Sequence, residues 1–367
     1  MNLRVLVVDD TALFRKLVSD ALASIPGVEV VGTASNGRLA LDRMESLRPD
    51  LLTLDLEMPE MNGLQTLEAL SQAGSSTGRP AAAPGAIMLS SHTVRGSELT
   101  MRALELGAFD FITKPDRGTR EDNLTQLRAS LASRIQAFSH RREIRQILSP
   151  APRRQLAQEF AAPRTNPAQP SRAVAPPLVL IGVSTGGPAA LAHVLPALPP
   201  GFGAPIFIVQ HMPPLFTEAM AGNLQAKSSI QVREARDGET AVSGCAYVAP
   251  GGRHMKLAAG PSGEVVMRIN DDPPENHCRP AVDVLFRSAA NDFPRRSIAA
   301  ILTGMGHDGT EGLRCLKRTG CVSIAQDEAS SIVFGMPREA ILAGVVDHVL
   351  PLNQIAAALI RCVGEAR

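Results

Sequence analysis

The chain has 367 residues, enough for two or three domains that each bury a core. Hydrophobic residues make up 44% and charged residues 20%, while aromatics are 3% with no tryptophan, so the cores are aliphatic. A net charge of +1 provides no field to draw the whole molecule onto nucleic acid or an anionic membrane, which leaves partners to be found by local surface.

The five cysteines, Cys245, Cys278, Cys315, Cys321 and Cys362, form no C-x-x-C pair and are odd in number, which fits a reduced cytoplasm. The apolar run in MNLRVLVVDD is cut short by two acids, unlike a signal or transit peptide. No apolar stretch nears the ~20 residues of a membrane span. The expectation is a cytoplasmic protein without membrane insertion.

From Arg4 to Pro115, β-branched apolar runs (Val5 to Val8, Val28 to Val31, Leu51 to Leu54, Ile87 to Leu89, Phe109 to Ile112) alternate with helix-length amphipathic segments. That alternation predicts βαβ units on a parallel sheet. Leu13, Leu17, Ala21 and Leu22 form an apolar stripe at helical period on the first helix. Leu124, Leu127, Leu131, Ile135 and Phe138 do the same on a helix leaving the domain, and the loop from Gly74 to Pro84 looks expanded. Seven prolines between Ser149 and Pro177, without periodicity, mark a linker. The pattern restarts with Leu178 to Val183 as a buried strand, a helix from Pro188 to Leu198, and Ile206 to Val209 as another strand. The Gly-rich stretch from Cys245 to Asn270 predicts antiparallel strands or hairpins inserted in this second sheet.

Asp9 and Asp10 follow the first strand and Asp55 the third, and the carboxyl ends of parallel strands converge on one sheet edge. Three carboxylates gathered there repel one another unless a cation neutralises them, and an all-oxygen set suits Mg²⁺. The bland alternative is three separate solvated loop acids. Ser90 ends the fourth strand and Lys114 follows the fifth, a donor and a countercharge for an acyl phosphate on Asp55. With VLVVDDTALFR, LDLEMPEMNGL and FITKP, residues 1 to about 118 resemble a two-component response-regulator receiver. The resemblance implies Asp55 as phosphoacceptor, Asp9, Asp10 and Asp55 at Mg²⁺, Ser90 and Lys114 as phosphate sensors, Phe111 as a rotating aromatic, and a sensor histidine kinase as phosphodonor.

In the second half, Gly182-Val183-Ser184-Thr185-Gly186-Gly187 lies between a strand and a helix. G-x-S-x-G in that setting exposes the serine hydroxyl beside helix N-terminal N–H groups. The same glycines could cradle a phosphate instead, although no lysine follows them. A nucleophilic serine needs a base and an orienting acid. His211 ends the next strand, and Asp308 sits in a second Gly-rich strand-to-helix turn, TGMGHDG, with His307 beside it as a rival base. The order Ser, His, Asp differs from the α/β-hydrolase order.

VSTGGP, VQHMP, YVAPGGRHM, CRPAVDVLF and LTGMGHDG together resemble the chemotaxis-type protein-glutamate methylesterases. That resemblance implies Ser184 as nucleophile, His211 as base, Asp308 as orienting acid and the Met305 N–H in the oxyanion hole. It implies no cofactor in the esterase site, methylated glutamates on the cytoplasmic domains of chemoreceptors as substrate, and deamidation of receptor glutamines. The expected fold class is α/β: a (βα)5 receiver (1–120), a linker helix and Pro-rich linker (121–177), and a doubly wound, mostly parallel catalytic domain with an antiparallel hairpin portion (178–367).

His254, His277 and Cys278 lack a ligand-spaced set and read as ordinary loop residues. Arg279 and Asp283 orient site loops, bind substrate or form a structural salt bridge. Arg141, Arg142, Arg145, Arg153 and Arg154 read as a solvated face; Met58, Met61, Met305 and Met336 as core. Two other classes compete with the enzyme: a non-catalytic phospho-dependent binding module and a DNA-binding response regulator. The chain shows no basic recognition helix, so nucleic acid is not expected as a partner.

Overall fold

The computed structural model describes residues 2–76, 84–147 and 176–366, without the side chains of 73–76 and 144–147. The expanded loop before the fourth strand and the Pro-rich linker, with Arg153 and Arg154 and the side chain of Arg145, lie almost wholly outside these residues.

In the first domain β1 (Leu3–Val8), α1 (Ala12–Ala23), β2 (Val28–Ala34), α2 (Gly37–Leu47), β3 (Leu51–Asp55), α3 (Gly63–Ser76), β4 (Gly85–Ser90), α4 (Val94–Glu105), β5 (Asp110–Thr113) and α5 (Arg120–Ile147) follow in order. The strands pair in parallel in the order β2-β1-β3-β4-β5. Val5 to Val8 and Leu51 to Asp55 are buried on both faces, as a sheet covered by helices on each side requires. Fully burying each Val, Leu or Ile contributes roughly 1.5–3 kcal/mol. Leu17, Ala21 and Leu22 form the buried stripe of α1, whereas Leu13 is 69% exposed. It lies in the first turn, in line with the stripe but at the rim of the sheet, where no neighbouring layer covers it. Leu127, Leu131 and Ile135 of α5 are buried in the receiver's own core, where Phe138 packs over the open face of Gly85.

The second domain runs β6 (Leu178–Val183), α6 (Gly187–Val194), β7 (Ile206–Gln210), α7 (Phe216–Gln225), β8 (Gln231–Glu234), β9 (Cys245–Val248), β10 (His254–Ala259), β11 (Val265–Asn270), α8 (Val282–Asp292), β12 (Ser297–Ile301), α9 (Thr310–Arg318), β13 (Val322–Gln326), α10 (Met336–Leu342), β14 (His348–Leu350) and α11 (Leu352–Glu365). Seven strands form one parallel sheet, β14-β13-β12-β6-β7-β9-β8. Among the named strands of the described residues, the antiparallel pair is β10 and β11, which form a separate two-stranded ribbon rather than an insertion in the sheet. Cys245 to Val248, expected in that hairpin region, joins the parallel sheet because all four residues are buried on both faces. The two domains touch: Phe111 stacks on Phe216 with ring centroids 4.7 Å apart, and Lys227 after α7 pairs with Glu105 of α4.

Candidate active site and phosphorylation site

The receiver sheet reverses its order between β1 and β3, and the acidic cluster lies at that point. Asp9 and Asp55 are 0% and 4% exposed, and Lys114 Nζ reaches both carboxylates at 2.7 Å. Burial raises the Asp55 carboxyl to about 6 against the opposing pull of Lys114, with Asp9 and Asp10 adding repulsion. Oxygens of Asp9, Asp10 and Asp55 all lie within 4.8 Å of one another. Three carboxylates against one ammonium leave an excess of negative charge on an all-oxygen donor set, which fits a divalent cation of the Mg²⁺ type. Ser90 is buried, but its hydroxyl is turned towards α4: it donates to Gly96 O at 3.1 Å and accepts from Thr100 Oγ1 at 2.8 Å. Phe111 is buried and lies against Phe216 of the other domain.

The second sheet reverses between β6 and β12, and Ser184, His211 and Asp308 lie at and beyond the strand ends around that point. Val183 and Gln210 are register partners, so Ser184 and His211 leave adjacent strands side by side. The Ser184 N–H donates to Thr303 O at 3.0 Å, and Gln210 Nε2 donates to Ser184 O at 3.0 Å, which fixes the turn. Gly186 completes that turn at φ 80°, where a side chain would strike Ile332. A Cβ on Gly304 would lie 2.8 Å from Ser184 Cβ, so the loop carrying Met305 presses directly on Ser184.

His211 Nε2 and Asp308 Oδ2 are 2.8 Å apart. Asp308 also accepts from the Val282 N–H (2.6 Å), the Asp283 N–H (3.1 Å) and Asn276 Nδ2 (2.9 Å). Burial would raise its carboxyl, yet His211 and these donors hold it below the usual value. Burial would lower the His211 imidazole, but the hydrogen bonds to Asp308 and Cys278 raise it above 6.5. His307, the rival base, is exposed. The other nitrogen of His211, Nδ1, lies 3.6 Å from the Cys278 thiol.

Several residues read as bland have defined places. His254 is 0% exposed rather than solvated: its Nδ1 accepts from the Ala281 N–H and its Nε2 meets Pro273 O, tying the loop before α8 to β10. Asp283 is buried, accepts from the Gly312 N–H at 2.6 Å and is raised by that burial. Arg279 donates to the carbonyls of Asp271 and Asp272. Asn276 carries no signal in the sequence beyond being a polar side chain in a short loop before CRPAVDVLF. Asp308 and Cys278 occupy opposite nitrogens of the His211 ring.

The receiver reaches this site. Thr185, next to Ser184, donates to Asp110 Oδ2 of β5 at 2.9 Å, and Ser133 Oγ of α5 meets Met305 Sδ at 3.4 Å.

Residues 5–126 match the response regulator receiver domain family and residues 179–359 match the family described as CheB methylesterase. The protein-glutamate methylesterase/protein-glutamine glutaminase of Desulfotalea psychrophila is 48% identical over 370 residues, covering 99% of each chain. Its Bacillus subtilis counterpart is 41% identical over 370 residues, covering 100% of this chain and 99% of its own. The crystal structure of the Thermotoga maritima CheB methylesterase catalytic domain is similar at 44% identity and a TM-score of 0.51, covering 52% of this chain and all of that one. By similarity along its whole length, the chain belongs to the receiver-linked protein-glutamate methylesterase/protein-glutamine glutaminase enzymes of chemotaxis.

Proposed function

We propose that this enzyme removes methyl groups from glutamates on the cytoplasmic helices of chemoreceptors through Ser184, His211 and Asp308, under control of phosphorylation at Asp55. The observation that carries the reading is the His211–Asp308 pair at 2.8 Å beside the Ser184 turn. Because Asp308 holds Nε2, the proton of Ser184 goes to Nδ1, and the serine oxygen bonds to the γ-carbonyl carbon of the ester. The Met305 N–H, on the loop against Ser184, receives the developing oxyanion. Collapse of the tetrahedral intermediate expels methoxide, which takes the proton from His211 and leaves as methanol. Water, deprotonated by the same imidazole, then releases the glutamate and frees Ser184. On glutamine the same intermediate expels ammonia.

In the receiver, the Asp55 carboxylate accepts a phosphoryl group from a sensor histidine kinase, with Lys114 as countercharge. Asp9, Asp10 and Asp55 would hold Mg²⁺, whose charge offsets that of the incoming phosphoryl group. To reach the phosphate, Ser90 abandons Gly96 and Thr100, which frees α4 and allows Phe111 to leave its stack on Phe216. The contacts to Thr185 and Met305 are lost with it, and the site opens as a shift of population. Action in the cytoplasm, and sensory adaptation as the outcome, follow from this substrate. Among the described residues no helix is long and apolar enough to cross a membrane.

The test is methanol release from methylated receptor membranes, with and without a small phosphodonor. Ser184→Ala abolishes release while retaining the fold, since a half-buried turn hydroxyl contributes little packing. Release near the wild-type rate would refute the assignment.

A further inference from the structure

The loop before α8 closes in a two-residue turn. The Glu275 N–H donates to Cys278 O (3.1 Å), and the Cys278 N–H donates back to Glu275 O (2.8 Å). Between them Asn276 and His277 have φ 51° and 61°. Two successive positive φ values mark a type I′ turn, the class that favours asparagine. Glu275 ties the turn to α8 through Arg287, with Arg287 Nη1 at 2.6 Å from Glu275 Oε1. The turn therefore sits on the same helix whose first N–H groups hold Asp308.

From this base two side chains reach the catalytic pair. Cys278 meets His211 Nδ1, and the Asn276 amide donates to Asp308 Oδ1 at 2.9 Å and to Asp283 Oδ2 at 2.8 Å. Asp308 and Asp283 are both buried, and Asn276 is the side-chain donor that bridges them. Without it, two like charges would face each other across an unfilled gap, and Asp308 Oδ1 would keep only the Asp283 N–H.

We infer that Asn276 is a positioning residue for the demethylation reaction, holding Asp308 in line with His211 by donating one amide to both buried carboxylates. The inference rests on the triad reading above. The amide aims Asp308 Oδ2 at Nε2 and draws electron density from Oδ1, which limits how strongly Asp308 holds the imidazolium. The titratable groups facing the pair are Cys278 from the turn and Asp283 from α8, with the Glu275–Arg287 ion pair beyond them.

The experiment measures kcat, KM and the pH profile of methanol release for full-length Asn276→Gly and Asn276→Asp, with Ser184→Ala and His211→Ala alongside. Glycine accepts φ 51° without strain, so it keeps the turn and removes only the amide. Asn276→Gly is expected to lower kcat by roughly tenfold to a hundredfold, leave KM unchanged, and move the acid limb of the profile to higher pH. Asn276→Asp, an isostere that brings a third carboxylate, moves that limb further. Wild-type kcat with an unmoved acid limb in Asn276→Gly overturns the inference, as does a loss of kcat that comes with a lower Tm and an unmoved limb. If Ser184→Ala or His211→Ala keeps releasing methanol, the triad reading fails instead, whatever the Asn276 variants do.

Discussion

His211 and Asp308 form a coupled charge pair whose two carboxylate and imidazole values move apart. Burial works against both charges, and their mutual hydrogen bond overcomes it, so Asp308 is lowered and His211 raised. The pair's stabilisation is fully present between the unfolded values of about 3.9 and about 6.5. It fades as pH falls through the lowered value of Asp308 and as pH rises through the raised value of His211. The Tm difference between wild type and Asp308→Asn is therefore largest between about pH 4 and 6.5 and shrinks on either side, measurable by scanning calorimetry. A gap that widened through the alkaline range would contradict this. Under the proposed mechanism kcat/KM of the wild type should rise with an acid limb above 6.5, and Asp308→Asn should shift that limb down while costing orders of magnitude in kcat. His307→Ala, at an exposed position, should leave both unchanged.

Helices α4 and α7 meet at the seam between the domains. Met101 and Leu104 face Pro188, Met220 and Leu224 across it, with the Glu105–Lys227 ion pair at its rim. Packing there is incomplete, since an open cleft of about 600 Å³ runs beside it, lined by Val94, Met101, Leu215 and Ala219. A partly exposed ion pair at such a rim contributes little alone, but reversing one charge replaces attraction with repulsion. Glu105→Lys should raise unphosphorylated methanol release a few-fold, and adding Lys227→Glu should restore the low rate. If the double variant stayed as active as the single one, the ion pair would have no part in closure. His92 and Phe111 both lie against Phe216, so one side chain of α7 receives the contacts that the receiver would withdraw.

Across the whole molecule, phosphorylation adds about two negative charges at one receiver edge, while the chemistry occurs at the edge of another sheet. A shift from mostly closed to mostly open requires up to about 5.5 kcal/mol of differential stabilisation, within reach of new Lys114 and Ser90 contacts. Chelating divalent cations should abolish the response to a small phosphodonor and leave basal methanol release intact, because the esterase reading uses no metal. Removing residues 1–150 should give an esterase faster than the unphosphorylated whole and indifferent to phosphodonor. The homologous Thermotoga maritima catalytic domain crystallised as a separate chain, so such a fragment has precedent. A slower fragment would mean that the receiver helps to build the site.

Much of this was legible in the sequence because it is local. Parallel strands buried on both faces read as apolar runs, and in a doubly wound sheet the residue after each run lands on the functional edge. Asp9, Lys114, Ser184 and His211 directly follow strands and Asp55 ends β3, so the strand pattern marks them, whereas Asp308 stands beyond β12 in the Gly-rich turn before α9. Contacts made by short turns across long separations had no such signature. Asn276 meets Asp308 across 32 residues and Cys278 meets His211 across 67, through a turn whose position depends on how α8 packs. The same limit hid the burial of His254, the rotation of Ser90 towards α4, and the Thr185–Asp110 bond between domains. Sequence determined which side chains stand at the strand ends, because strand period and chain direction are set residue by residue. Only the tertiary structure decided which nitrogen of His211 each neighbour takes and how the receiver reaches the nucleophile, because those depend on packing between elements distant in the chain.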